Sequence, residues 1–343
     1  MEIQKNISLK DYSTMRLGGP ASYLAIAESQ EQLIEAAKSA KSSNIPIVVI
    51  GHGSNIIWRD EGFPGLVIVN RIKGFEVVSD SEFGTYVSVG AGEVWDTVVE
   101  RCVKLGLSGI ECLSMIPGTA GATPVQNVGA YGQELSQTLA TVTAFDLESL
   151  NMVTIPASDC NFSYRDSIFK SSSKGRYLIT SITLMLSRNK PMPPYYSAVA
   201  NYLEQHKITD ASADTLRQAV MTIRKEKLPD PKVTPNCGSF FANPIVDNSL
   251  LLALEDRYPS VPNWPAENNQ VKIPAAWLIE QAGFKDYFDQ ESGVATWPIQ
   301  PLILVNRSGD STTKLLAFAD EIKAKVKHQF SIDLVMEPQI LPS

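Results

Sequence analysis

The chain has 343 residues, 44% of them hydrophobic. At about 150 residues per domain that allows two to three domains with cores of their own. Gly and Pro number 21 each, an ordinary share that excludes collagen-like, linker-like and disordered chains. Thirty Lys and Arg stand against 37 Asp and Glu, for a net charge of −7. Such a chain has no global basic surface for nucleic acid, so phosphates can be held only at a local site.

In chain order, residues 23–27 form an apolar strand. Ser29 and Gln32 resemble a capping box, with Leu33, Ile34, Ala37 and Ala40 following at helical spacing. Ile47–Ile50 is a buried-type strand, ended by Gly51-His52-Gly53-Ser54-Asn55. Strands follow at 66–69 and 85–89. A helix over 93–105 places Val94, Val98 and Cys102 on one stripe, and Gly106 fits its C′ position. Next comes an uncharged run from Cys112 to Gln133. It is long enough to span a membrane, but its four glycines, two prolines and many polar residues exclude that. Strands are expected at 141–147, 152–155 and Tyr177–Leu186. The proline-rich stretch 190–196 must be irregular. A helix over 213–226 turns Leu216, Val220 and Ile223 inward, and 228–237 reads as a linker. Pro274 begins a helix through Gln281, with Gly283 after it. A strand at 302–305 precedes a helix capped by Ser311 and reaching His328, with Leu315, Ala319, Ile322 and Val326 on one face. A last strand is expected at 332–336. The sum is an α+β chain with two glycine-rich modules and a smaller mixed C-terminal module.

Cys102, Cys112, Cys160 and Cys237 form no CxxC pair. Sparse thiols of this kind suit a reducing compartment as small buried hydrophobes, with a catalytic thiol as the lesser alternative. The opening MEIQKNISLKDYS lacks the apolar stretch of a signal peptide. A cytoplasmic protein without membrane insertion is expected.

There is no GxGxxG, no Walker A motif and no HExxH. Three histidines, at 52, 206 and 328, supply a serine–histidine triad poorly and make a His-rich metal site unexpected. Paired carboxylates for glycoside hydrolysis stay open, though no pair stands out. What the chain does have is two glycine-rich turns: Gly51 to Asn55, and the segment from Ile116 to Gly132. Glycine permits φ > 0 and close approach of backbone to a ligand. Successive N–H groups can then hold an anion without Lys or Arg, with Ser54, Thr119 and Thr123 as hydroxyl donors. The alternative is a pair of tight turns covering a sheet edge. Arg165 beside Asp166 reads as a structural ion pair, and Ser239 as a turn serine without a base. Glu337 reads as surface. Residue chemistry alone stops at a nucleotide-cofactor enzyme of open reaction.

The segment IPGTAGATPVQNVGAYG is preceded by GHGSN and followed by YRDSIFK, KLPDPK, GSFFANP, AAWLIEQAGF and MEP. In this order they resemble the UDP-N-acetylenolpyruvoylglucosamine reductase (MurB) family, in its subclass with a substrate-closing tyrosine loop. The resemblance implies an FAD-binding fold of the vanillyl-alcohol-oxidase type, with two N-terminal FAD-binding domains and a smaller α/β C-terminal substrate domain. The boundaries implied are 1–70, with 331–343 returning to it, then 71–228 and 229–330. It implies FAD reduced by NADPH, in a cleft that NADPH shares with the sugar nucleotide, which would explain the missing GxGxxG. The reaction implied is reduction of the enolpyruvyl ether of UDP-N-acetylglucosamine to UDP-N-acetylmuramate for peptidoglycan, by a monomer without a metal.

The cofactor contacts implied are Gly51, His52, Gly53, Ser54, Asn55, Ile116, Pro117, Gly118, Thr119, Gly121, Ala122, Thr123, Gln126, Gly129 and Ala130. Arg165 and Glu337 would stabilise an enolate-like state, Glu337 as its acid form through a raised pKa. Ser239 would protonate the carbanion. Lys227 and Asn243 match substrate positions near the diphosphate and uridine, with Tyr164, Lys272 and Gln281 as further contacts. Arg224 stands at a helix end, where contact with the flavin or diphosphate and a plain surface role are equally open. The family's loop tyrosine is followed by Gly and Asp, whereas here Tyr195-Tyr196-Ser197-Ala198 stands there. Tyr196 is chosen by position over Tyr195. The competing readings are an FAD-dependent alcohol or sugar oxidase of the same fold and a non-catalytic nucleotide-sugar binding module.

Overall fold

The computed structural model describes residues 1–342. The chain packs as two units. The first comprises Met1–Ile7, Ala21–His52 and Pro64–Glu226, and the second Ser8–Pro20, Gly53–Phe63 and the chain from Lys227 onward.

In the first unit, one sheet orders the strands Ile3–Ser8, Pro20–Ala27, Phe63–Asn70 and Ile47–Ile50. The last two run parallel, Ile47 opposite Leu66. Helix α1 (Gln30–Ser42) buries Leu33, Ala36, Ala37 and Ala40 in a cluster with Ala25, Leu66 and Ile68. Ser29 accepts the Gln32 amide as predicted, but the Gln32 side chain takes the amide of Glu28 rather than that of Ser29. Ile34 is only half-buried, because the stripe passes through Ala36 instead.

A five-stranded antiparallel sheet follows, in the order Asn151–Pro156, Leu139–Asp146, Tyr177–Leu186, Gly84–Gly90 and Phe75–Ser81. Helix α2 (Trp95–Lys104) turns Trp95, Val98, Val99, Cys102 and Val103 into this core. Each such side chain contributes about 1.5–3 kcal/mol by leaving water. Val94, predicted in the stripe, is the exposed N-cap. Helices α3 (Ser197–Gln205) and α4 (Ala213–Lys227) share a third cluster through Val199, Leu203, Leu216, Val220 and Ile223.

The second unit holds α5 (Asn248–Glu255), α6 (Ala275–Gln281) and α7 (Thr312–Phe330) with two small three-stranded sheets and one strand pair. Its core joins Leu278, Ile279, Leu304, Leu315, Ile322 and Val326 to Met15, Leu17 and Ile57. Residues 8–20 and 53–63, which the sequence reading placed in the first domain, belong to this unit because those three side chains enter its core. The strand expected at 332–336 does not form. Met336 alone bridges Phe241, Val335 is exposed, and pairing resumes after Pro338 as Gln339–Leu341, parallel to Ile56–Trp58. Proline has no N–H to continue a ladder.

All four cysteines are buried and free. Burial pushes the thiols of Cys102, Cys112 and Cys237 up to about 12 and that of Cys160 to about 11, which makes them structural. Among the described residues no helix is long and apolar enough to cross a membrane.

Helix α7 is capped twice. Ser311 accepts the Lys314 amide, as predicted. Asp60, from the 53–63 segment, accepts the amides of Thr312 (2.7 Å) and Thr313 (2.9 Å) and the hydroxyls of Ser311 and Thr313. Burial raises its pKa, but the hydrogen bonds from Thr313, Thr312 and Ser311 outweigh that and hold it at about 2. Asp60→Ala is expected to lower stability by about 1–2 kcal/mol in a urea titration. The folded pKa is depressed, so the stabilisation is complete above the ordinary carboxylate range and fades as pH falls towards 2. The variant and the wild type should therefore converge in stability in that window.

Candidate active site

Two backbone turns meet in the first unit. Gly51 ends the strand Ile47–Ile50, and a Cβ there would stand 2.2 Å from Thr119 Oγ1. The second turn lies on the segment after Gly90: the Gly121 amide donates to Ala91 O (2.9 Å), the Ala120 amide to Glu93 O (2.9 Å), and the Trp95 amide to Gly118 O (3.1 Å). A Cβ on Gly121 would stand 2.5 Å from that of Ala91. These glycines bring chain against chain, whereas the sequence reading had them bring chain against ligand. Within the turn, Ala122 donates to Thr119 O and Thr123 to Ala120 O, while the amides of Gly118 and Thr119 donate to no backbone carbonyl among the described residues. The Thr123 hydroxyl, expected as a ligand donor, is buried and donates to Ala120 O at 2.7 Å.

Around this turn, Pro117 and Ala122 are exposed, and Ile116 and Ala130 are half-buried against the core. Gln126 is half-buried. Its neighbour Asn127 donates to Glu134 and to Ser163 O, and Ser167 donates to Val125 O. The loop 163–167 is thus fastened to the glycine-rich segment. From that loop Arg165, in left-handed backbone with φ 59°, donates from Nη2 to Gly129 O at 2.7 Å. Asp166 instead accepts the Ser167 amide. Tyr164 lies beside the Arg165 guanidinium, its ring 5.1 Å away.

Tyr131, which sequence reasoning passed over although it stands inside the motif, packs edge-on against Tyr196 at 5.7 Å. Tyr195 donates its hydroxyl to Pro191 O within its own strap. Of the two candidates, Tyr196 is the one that meets the glycine-rich segment. His52 follows Gly51 in the same unit and is half-buried.

In the second unit, Gly53 O accepts the Thr14 amide, and Ser54 and Asn55 lead into Ile56–Trp58. The Asn55 side chain donates to Glu337 O at 3.4 Å. Glu337 is 9% exposed. Its amide donates to Phe240 O, and the Ala242 amide to Val335 O, so Ser239 and Glu337 stand on paired segments. Phe240 and Phe241 are buried and anchor the serine segment. Asn243 Oδ1 accepts the Ala275 amide at 2.9 Å, which fixes the orientation of its side chain. Lys272 lies in the strand Gln270–Lys272 opposite Ile245. Gln281 is exposed at the end of α6, and Lys227, the last residue of α4, is exposed.

Residues 21–149 match the family model of an FAD binding domain, and residues 230–341 that of the UDP-N-acetylenolpyruvoylglucosamine reductase C-terminal domain. The chain is 38% identical over 340 residues to the UDP-N-acetylenolpyruvoylglucosamine reductase of Amoebophilus asiaticus (strain 5a2), covering 99% of each. To the reductase of the same name from Pseudomonas syringae pv. syringae it is 37% identical, again covering 99% of each. The chain belongs to the UDP-N-acetylenolpyruvoylglucosamine reductase family.

The crystal structure of the MurB enzyme from Thermus caldophilus superimposes with a TM-score of 0.67 over all of both chains at 24% identity, which establishes the shared fold. The residues fit the FAD that the family model names. An uncharged turn with two amides outside its own hydrogen bonding and the Thr119 hydroxyl beside Gly51 suits a diphosphate held by dipoles. Gly121→Val should push the turn off Ala91, and the purified variant is expected to lack flavin absorbance. Full flavin occupancy would show that this close approach is not needed.

Proposed function

We propose that this protein is a cytoplasmic, monomeric flavoenzyme that uses NADPH to reduce the enolpyruvyl ether of UDP-N-acetylglucosamine to UDP-N-acetylmuramate, a peptidoglycan precursor. The observation that carries this reading is the abutment of the Gly51 and Thr119 turns, inside the stretch that matches an FAD binding domain. Membership of the reductase family supplies the substrate.

When bound, FAD supplies the hydride it has taken from NADPH. The chain's own residues answer the difficulty of the acceptor. An enol ether is electron-rich, so hydride addition is favourable only if the adjacent carboxylate absorbs the developing charge. We assign Arg165 and Glu337 to that charge, at about 2.7–4 kcal/mol for each well-placed donor. The hold of Gly129 O on Arg165, and the enclosure of Glu337, support the assignment. Ser239 Oγ donates the proton that completes the reduction at the carbanion carbon. A hydroxyl is acid enough for so basic a carbon. The neighbouring thiol of Cys237, at about 12, is locked in the core.

Gly51 to Asn55 and the 116–130 contacts named above hold FAD. Tyr164, Tyr196, Lys227, Asn243, Lys272 and Gln281 contact the sugar nucleotide, with Tyr196 as the loop tyrosine of the subclass. NADPH and substrate take turns in one cleft.

The deciding experiment is NADPH oxidation with and without the enolpyruvyl sugar nucleotide. Dependence on that substrate supports the reading. Turnover with oxygen and no NADPH points to an oxidase, and a colourless protein that binds UDP-sugars points to a binding module.

Ser239→Ala should leave flavin reduction by NADPH at its normal rate in stopped-flow absorbance and slow reoxidation by substrate roughly 10²–10⁴-fold. Wild-type rates in both half-reactions would remove the proton-donor role. Lys227→Ala should raise KM for the sugar nucleotide with little change in kcat, the pattern of lost phosphate binding.

A further inference from the structure

The uncharged turn depends on a charged support behind it. Asp96 stands in the first turn of α2. Its Oδ1 accepts the Met115 amide at 2.7 Å and Arg217 Nη1 at 2.6 Å, and its Oδ2 accepts Arg217 Nη2 at 3.2 Å. Arg217, on α4, is 5% exposed and also donates to Ser114 Oγ at 2.8 Å. Ser114 in turn donates to Glu111 O at 2.6 Å. On the other side, Arg224 Nη2 donates to Met115 O at 3.2 Å. Met115 is therefore gripped at both its N–H and its C=O, and it sits at φ +56°, a left-handed conformation that few non-glycine residues adopt. The next residues are Ile116 to Thr119, and the Trp95 amide, one residue before Asp96, takes Gly118 O. The start of α2 thus fixes both ends of the 115–118 stretch.

We propose that Asp96 and Arg217 are positioning residues for the flavin, holding Met115 in its left-handed conformation so that the Gly118 and Thr119 amides face the cofactor. This rests on the reading of that turn as the FAD site. An ion pair made for core stability alone would need neither the bond to the Met115 amide nor that to Ser114. Here the carboxylate joins the helix to a left-handed residue three positions before Gly118, which itself stands at φ +128°. Arg217 is buried whereas the Asp96 side chain is 34% exposed, and the cost of burying the guanidinium is offset by two-point pairing and these extra hydrogen bonds.

The test is titration of apoprotein with FAD, followed by flavin fluorescence, for the wild type, Asp96→Asn, Arg217→Lys, Met115→Gly and the double variant Asp96→Asn/Met115→Gly. Asp96→Asn should weaken FAD binding about tenfold to a hundredfold. Arg217→Lys, which keeps the charge but not the fork, should weaken it less. Glycine adopts φ > 0 without strain, so the double variant should regain most of the lost affinity. A general loss of stability would not be repaired by adding glycine. Wild-type FAD affinity in Asp96→Asn, or a double variant no better than Asp96→Asn, overturns the inference while leaving the FAD site standing. A wild-type apoprotein that does not bind FAD overturns the cofactor reading itself.

Discussion

The first unit turns on one steric constraint: two backbone turns approach so closely that no side chain fits between them. Thr119 occupies the space a Gly51 Cβ would need, and Ala91 the space a Gly121 Cβ would need. The rest of the site's chemistry follows from that contact. A turn pressed against a strand end and a sheet connection cannot carry long charged side chains on its inner face, so what it can offer the diphosphate proposed for it is amide dipoles and one hydroxyl. That accounts for an uncharged run of membrane-spanning length in a chain with no other sign of a membrane span.

Much of the fold was legible because local chemistry and tertiary packing agree. Helices α1, α4 and α7 lie where their apolar spacing puts them, and Ser29 and Ser311 cap the first and last as their hydroxyls suggest. The outcome differed where distant contacts decide. Residues 8–20 and 53–63 look like parts of the N-terminal module, yet Met15, Leu17 and Ile57 are core residues of the second unit. The run 332–336 has strand composition, but Ile332 and Leu334 turn into that core without a partner strand, and Pro338 delays pairing until Gln339. At the site, a lone arginine and a lone serine carry no signal of their own. Only the family motifs singled out Arg165 and Ser239. Asp96 and Arg217 were missed altogether, because an aspartate in a first turn and an arginine on an amphipathic helix both read as solvent-facing.

The second unit places Ser239 and Glu337, the residues proposed above for the chemistry, by backbone pairing rather than by turns. Phe240 and Phe241, ring to ring at 5.2 Å and fully enclosed, fix the segment that carries Ser239. The amide of Glu337 then fastens the acid to the carbonyl of Phe240. Buried aromatic anchors fix the backbone beside Ser239, which is what the proton-donor role proposed for it requires: accurate placement has to compensate for a poor pKa match. Cys237 shows the opposite use of burial, since the core that anchors the neighbouring phenylalanines holds a thiol out of reach of chemistry.

The tyrosine strap extends this reasoning to a position where the chain departs from its family's pattern. Where a glycine would follow the tyrosine, Ser197 opens α3, and Tyr196 is the residue that caps it. A glycine hinge leaves a ring free to swing about the backbone. The N-cap position fixes the Tyr196 backbone at the start of the helix, without a side-chain cap hydrogen bond, and α3 is itself held to α4 through Val199 and Leu203. Tyr196 meets Tyr131 edge-on, next to the glycine-rich segment. Movement of this tyrosine therefore requires either a rotamer change at Tyr196 or displacement of α3 from its cluster. The second route exposes apolar surface from several side chains, each costing about 1.5–3 kcal/mol, so side-chain rotation is the cheaper movement for Tyr196.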